Sequence, residues 1–344
     1  ALSFLASGFS SDLRATVIFT AVSLYLYLSM FLIAAFVARR PIAHTQLVLS
    51  AWSFAALVAA SAGLIGYFSL LPGAYELFTK FGRAAGTFKD PNVFGPFLVV
   101  PALYALNRVF ESPLRHALVP LVMTGVLSLA VLLSFSRGAW VNLALAVLIF
   151  GYLSFVLAPT VRQRLRILGL FLAGLITVSF MLAVAVQVPK IASLLGERAT
   201  LTQSYDVGPH GRFGGQSKAI DLILDHPFGI GALEFGTVYH NEGVHNVYLN
   251  MVLNAGWLGG GLFIIMTALT IILGLRHLLK ASATRPMFVV LFSAFVAHVI
   301  EGFIVDTDHW RHYYVIMGMM WGLMAVEWHR LPVDARPAAH GRSY

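Results

Sequence analysis

Hydrophobic and polar positions divide the chain into long apolar runs joined by short polar connections. Ala15–Ala38 and Leu168–Val188 each exceed the roughly 18 apolar residues that a membrane-crossing helix needs. The same reading gives nine spans: Ala15–Ala38, Gln46–Leu71, Val93–Val109, Ala117–Phe135, Ala139–Leu157, Leu168–Val188, Val247–Leu273, Met287–Ile304 and Tyr313–Val326. The third is short and contains Pro96 and Pro101. A kinked or partly unwound helix is expected there, which a membrane tolerates only where protein re-satisfies the backbone. The expected fold is an all-α polytopic membrane helix bundle of about nine spans.

One segment breaks the pattern. Pro189–Asn246 is the only extended polar stretch, and a loop of that length in a compact protein is usually functional. Within it, Gly215–His226 carries Ala219, Ile220, Ile223 and Leu224 at helical spacing. That spacing predicts a short amphipathic helix on the membrane surface, ended by Pro227, Gly229 and Gly231. The chain therefore divides into N-terminal helices (1–188), the long loop (189–246), C-terminal helices (247–330) and a polar tail (331–344) of one membrane domain.

Composition sharpens this picture. The chain is 58% hydrophobic and 11% charged, against about 25% charged in soluble domains. Its net charge of +8 reads as orientation rather than nucleic-acid binding. Arg39 and Arg40, Arg108 and Arg115, Arg162, Arg164 and Arg166, Arg276, Lys280 and Arg285, and Arg330, Arg336 and Arg342 follow alternate spans. Basic connections stay in the cytoplasm, so the N-terminus and the long loop face outward and the C-terminus inward. There is no cysteine, hence no thiolate nucleophile and no cysteine-based metal site. Ala1 begins no basic region with a cleavage site, so no signal peptide is read.

The candidate chemistry gathers on the outward side. Arg212 lies in the long loop, and His245-Asn246 directly precedes span seven. A helix start presents free N–H groups and partial positive charge, which suits an anion such as phosphate. Asn246 can cap that helix, and a histidine there is placed for general-base work. Arg137, at the outer end of span five, can face the same cavity, and paired guanidinium groups bind phosphate oxygens bidentately. Arg83, Lys89 and Asn92 lie just before span three. Each has a plainer reading: Arg137 as an interfacial anchor, Arg212 as a solvated loop charge, His245 as part of a cap.

Phe88-Lys89-Asp90-Pro91-Asn92, Ser134-Phe135-Ser136-Arg137-Gly138, Gly211-Arg212, Pro227-Phe228-Gly229-Ile230-Gly231, and His245-Asn246 ahead of a Gly256-containing helix together resemble the O-antigen ligase and polymerase superfamily. The resemblance runs from Arg83 to Gly260. It implies a GT-C-like glycosyltransferase, multi-pass in the bacterial inner membrane with its site at the periplasmic face. The implied donor is an undecaprenyl-diphosphate-linked glycan, and the acceptor is lipid A core or a growing glycan chain. No cofactor and no metal are expected. The resemblance carries the family's catalytic groups onto Arg137, Arg212 and His245. Arg83, Lys89, Asn92, Asn246 and Asp306 are then candidates for binding the diphosphate or acceptor. Family members often have about twelve spans; nine here, and no initiating Met, point to N-terminal helices missing from the sequence.

His210, His226, His240 and His245 share the loop, but their spacing matches no metal-ligand pattern. Glu301, Asp306, Asp308, His309 and Arg311 lie between spans eight and nine and read as a hydrated turn, with Asp306 or Asp308 able to orient His245. The rival class is a transporter or channel for an anionic or lipid-linked substrate. That class predicts ionisable residues deep in the spans and inverted repeats. The spans are mostly charge-free, with His298 and Glu301 the nearest exceptions, and no repeat is evident.

Overall fold

The computed structural model describes residues 2–187 and 211–328, with positions 196 and 208. The first part of the long loop, including His210, and the tail 331–344 lie outside the described residues. Each of the nine apolar segments is a helix: α1 (Leu13–Arg39), α2 (Pro41–Tyr67), α3 (Pro91–Glu111), α4 (Leu118–Leu133), α5 (Arg137–Leu157), α6 (Val161–Ala185), α8 (Val247–Leu278), α9 (Arg285–Glu301) and α10 (Arg311–Trp328). The loop helix α7 (Arg212–Asp225) falls where the amphipathic spacing puts it. Among the described residues, α1, α2, α3, α5 and α8 are long and apolar enough to cross a membrane, and α4 is a shorter apolar helix. The one sheet among the described residues pairs two-residue strands, Thr79–Lys80 with Arg83–Ala84. The chain is an all-α polytopic bundle.

The core lies where α3, α9 and α10 meet. Phe94, Leu98, Leu103, Phe288, Phe295, Tyr313 and Tyr314 are fully buried there. Small residues set the closest crossings, as in membrane bundles generally. Gly318 and Gly322 of α10 sit against the backbone of α1 at Met30 and Ala34, bringing these two helices into close contact. Gly95 of α3 packs on Ala139 of α5, and Gly138 of α5 packs on Glu301 of α9.

The break in the bundle falls elsewhere than the prolines suggest. Despite Pro96 and Pro101, α3 is helical from end to end rather than partly unwound. Pro101 cannot donate to the Phe97 carbonyl, but the Trp52 indole N–H of α2 does so at 3.1 Å. The interrupted helix is α8, at Gly256, whose φ of 72° and ψ of 178° are open only to glycine. Two backbone groups lose each other there. Leu253 O, which would accept from Trp257 N, accepts from Ile230 N at 2.8 Å. Trp257 N donates instead to Pro227 O at 2.9 Å. The turn 227–231 is thus docked into the gap, with Gly229 (φ 83°) and Gly256 back to back.

Candidate active site

The turn at 227–231 fixes one end of the loop, and the N-terminal segment fixes the next stretch. Glu234 Oε1 accepts hydrogen bonds from Ser10 Oγ at 2.7 Å, Ser11 N at 2.8 Å and Ser11 Oγ at 2.8 Å. Thr16 Oγ1 donates to Ala232 O at 2.8 Å. Burial raises the Glu234 carboxyl, but the hydrogen bonds from Ser10, Ser11 and the Asp12 backbone outweigh it and hold the group below its ordinary value.

His245 is the pivot of the site. Its φ of 53° lies in the left-handed region, a strained setting for a non-glycine residue. Asp306 holds it there. One carboxylate oxygen accepts from His245 N and the other from Asn246 N, both at 3.0 Å. Asn246 in turn caps α8, its Oδ1 accepting from Tyr248 N at 3.1 Å and Leu249 N at 3.2 Å. Val247 N donates to Gly302 O at 2.8 Å, tying the helix start to the same turn. The ring is half-exposed, and Nε2 lies 3.5 Å from the Glu242 carboxylate.

Arg212 opens α7, behind Gly211. Gln216, one turn on, donates from Nε2 to His245 O at 3.2 Å, so this face of α7 lies on the histidine. Burial raises the Asp306 carboxyl above its ordinary value; the charge of His245, the two backbone N–H groups and the charge of Arg212 act against that rise. Arg212, His245 and Asp306 are therefore electrostatic neighbours.

The reading of residues 301–311 as a hydrated turn is overturned. Glu301 and Asp308 are buried. Asn142 Nδ2 donates to Glu301 Oε2 at 2.5 Å, and Asn250 Nδ2 approaches Asp308 Oδ2 at 3.4 Å. Burial and the neighbouring Asp306 push the Asp308 carboxyl up to about 7. Burial pushes His309 down to about 4. Its ring stacks on Phe19 with centroids 3.8 Å apart and hydrogen-bonds Ser23.

The other candidates form a second group. Arg83 donates from Nε to Ser134 O at 2.7 Å and from Nη2 to Asn92 Oδ1 at 2.8 Å. It braces the hairpin and the start of α3 against the turn before Arg137. In that turn Phe135 has φ 45°, and Ser136 caps α5 by accepting from Ala139 N. Arg137 is the first residue of α5, and the next, Gly138, packs against Glu301 and Val305. The Arg137 helix start therefore lies beside the turn that carries Asp306. Lys89 is not drawn into either group; it is exposed and lines a separate groove of about 480 Å³ with Thr79 and Thr87.

Glu242 and Gln216 escaped the sequence reading. Gln216 lies four residues after Arg212 on the same helical face, a signal the spacing carried; Glu242 lies in the irregular stretch before α8, where spacing carries none. As a unit the residues can hold an anion at Arg212, accept a proton at His245, and support the resulting imidazolium with two carboxylates.

Residues 122–264 match the family model described as O-antigen ligase. The matched stretch includes Arg137, Arg212, Gln216, Glu242 and His245, and excludes Arg83, Asn92 and Asp306. No curated protein matches the chain.

Proposed function

We propose that this chain, a multi-pass membrane protein that belongs to the O-antigen ligase/polymerase superfamily over residues 122–264, moves a glycan from an undecaprenyl-diphosphate donor to an acceptor hydroxyl. The reaction takes place at the periplasmic face of the inner membrane, without a metal. The observation that supports this reading most directly is the clamped histidine. Asp306 fixes His245 at a strained backbone angle beside Arg212, inside the family-matched region. Strain of this kind, held by its surroundings, clusters at functional sites.

His245 takes the proton of the acceptor hydroxyl. The oxygen attacks the anomeric carbon from the face opposite the diphosphate, so the linkage inverts. The anomeric C–O bond breaks, and its electron pair leaves with undecaprenyl diphosphate. Arg212 and Arg137 stabilise the charge that develops on the departing phosphate, an electrostatic contribution. Glu242, 3.5 Å from Nε2, favours the imidazolium formed in that step. Arg83 and Asn92 brace the turn ahead of Arg137.

The test is transfer measured with purified protein, a lipid-linked donor and the acceptor. His245→Ala should lower turnover by about 10²–10⁴-fold, the usual share of general-base catalysis. Glutamine can donate and accept hydrogen bonds but cannot take up a proton. A His245→Gln variant with near-normal turnover across about pH 6–8, the range in which histidine ordinarily titrates, would make His245 a binding residue only.

A further inference from the structure

A cleft lies on the far side of α7 from the Arg212–His245 group. Its volume is about 510 Å³, and it is lined by Ser217, Lys218, Asp221, Thr237, Tyr239 and Asn241, among others. Ser217, Lys218 and Asp221 recur at helical spacing and form one face of α7. Arg212 and Gln216 lie on the opposite face, so a helix diameter of roughly 10 Å separates the cleft from the anion side. The far wall is a π-helical turn, Phe235–Tyr239, a rare local geometry that is frequent at functional sites. Lys218 Nζ donates to Tyr239 O and joins the two walls.

His240 also lines the cleft. Its ring is buried against Gly215, and its Nε2 has no hydrogen-bond partner among the described residues. A buried polar nitrogen without a partner is costly and marks this wall of the cleft as unusual. The backbone then leads straight to the base. Glu242 N donates to His240 Nδ1 at 3.3 Å, and Glu242 faces His245.

We infer that this cleft is a saccharide subsite for the acceptor, an inference that rests on the glycan-transfer reading above. The lining suits a sugar. Asp221 and Asn241 offer paired oxygens and an amide for neighbouring hydroxyls, Ser217 and Thr237 donate or accept, and Tyr239 presents an apolar ring face. Lys218 and Asp221 together leave no large net charge, which fits a hydroxyl-rich ligand better than a phosphate. The acceptor is favoured over the donor by position. The donor's diphosphate belongs to the Arg212 side of α7, whereas the His240–Glu242–His245 run connects the cleft to the group that deprotonates the acceptor.

The experiment uses the full-length protein in nanodiscs. Wild type, Asp221→Asn and Asn241→Ala are compared in steady-state transfer, with donor and acceptor varied separately. Binding of the deacylated acceptor saccharide is measured in parallel by calorimetry. Loss of one hydrogen bond from a charged group should raise the acceptor KM by about tenfold, with kcat and the donor KM retained and saccharide binding weakened alike. Asn241 is exposed, so its alanine variant reports on the cleft even where Asp221→Asn fails to fold. An unchanged acceptor KM, or a rise in the donor KM instead, overturns the inference. Failure of the transfer reading is a separate result: wild type then transfers no glycan, and saccharide binding that Asn241→Ala weakens still reports on the cleft.

Discussion

Replacing Asp306 by Asn tests how the site holds His245, the base of the proposed reaction. The carboxylate receives two adjacent backbone N–H groups, from His245 and Asn246, each at 3.0 Å. An asparagine has one oxygen for the two donors and turns an NH₂ group toward the other. One charge-assisted hydrogen bond is lost outright, worth about 1.5–3 kcal/mol. That is comparable to the roughly 1–3 kcal/mol stored in a positive φ at a non-glycine residue. His245 is then free to relax from φ 53°, and its ring leaves the geometry set by Asp306. If the loss appears wholly in positioning, turnover falls roughly 10- to 150-fold. The assay is single-turnover transfer, with Asp306→Asn made both in wild type and in His245→Gln. The Asn substitution should cost the full factor in the first and almost nothing in the second, because Asp306 acts through His245. An equal loss in both backgrounds would refute the reasoning and make Asp306 a substrate contact. Lowering pH should imitate the substitution. Asp306 has a raised pKa, so its proton returns sooner than an ordinary aspartate's, and activity should decline on the acid side through this group.

Gly256→Ala should destabilise the protein by roughly 2–4 kcal/mol in detergent unfolding, since a Cβ would meet Pro227 O at 2.7 Å and Phe228 O at 2.9 Å; a change under about 0.5 kcal/mol, the usual size of a neutral surface substitution, would mean that the break is optional. The chain's lack of cysteine makes labelling direct: Asn241→Cys should react only with reagent outside the cytoplasm and Ser282→Cys only from within, and the reverse pattern would invert the topology. Glu234, whose carboxyl is held below its ordinary value, contributes stability that is present above the unfolded pKa and lost as pH falls through the folded one. Wild type should therefore lose stability on acidification more steeply than Glu234→Gln, as read by thermal unfolding; parallel pH curves would count against the Ser10–Ser11 contacts.

The spans were legible because membrane helices announce themselves by unbroken apolarity, and α7 by the spacing of Ala219, Ile220, Ile223 and Leu224. Interruptions were not legible. Pro96 and Pro101 are strong local signals, yet the neighbouring Trp52 indole satisfies the carbonyl that Pro101 leaves open. Gly256 is a weak local signal, because glycine is common in membrane helices. What breaks α8 is a turn some twenty-five residues upstream, offering its own N–H and C=O in exchange. The site divides in the same way. His245, Arg212 and Arg137 stood out by charge at span ends and by family resemblance. The acids at 301–308 were misread as hydrated because sequence alone does not show that Asn142 and Asn250 reach across to two of them.

The bonds from Ser10 and Ser11 to Glu234 join positions 224 and 223 residues apart. During synthesis at roughly 5–20 residues per second, Ser10 emerges about 10–45 s before its partner. Asp306, which holds the backbone of His245 and Asn246, follows later still. The end of the bundle that carries the candidate chemistry is therefore the last part of the molecule to close, after most of the helices are already in the membrane. Long-range closure of this kind also makes folding slow, so mutations at Ser10, Ser11 or Glu234 should appear first as poor yield of assembled protein, ahead of any defect in the molecules that do assemble.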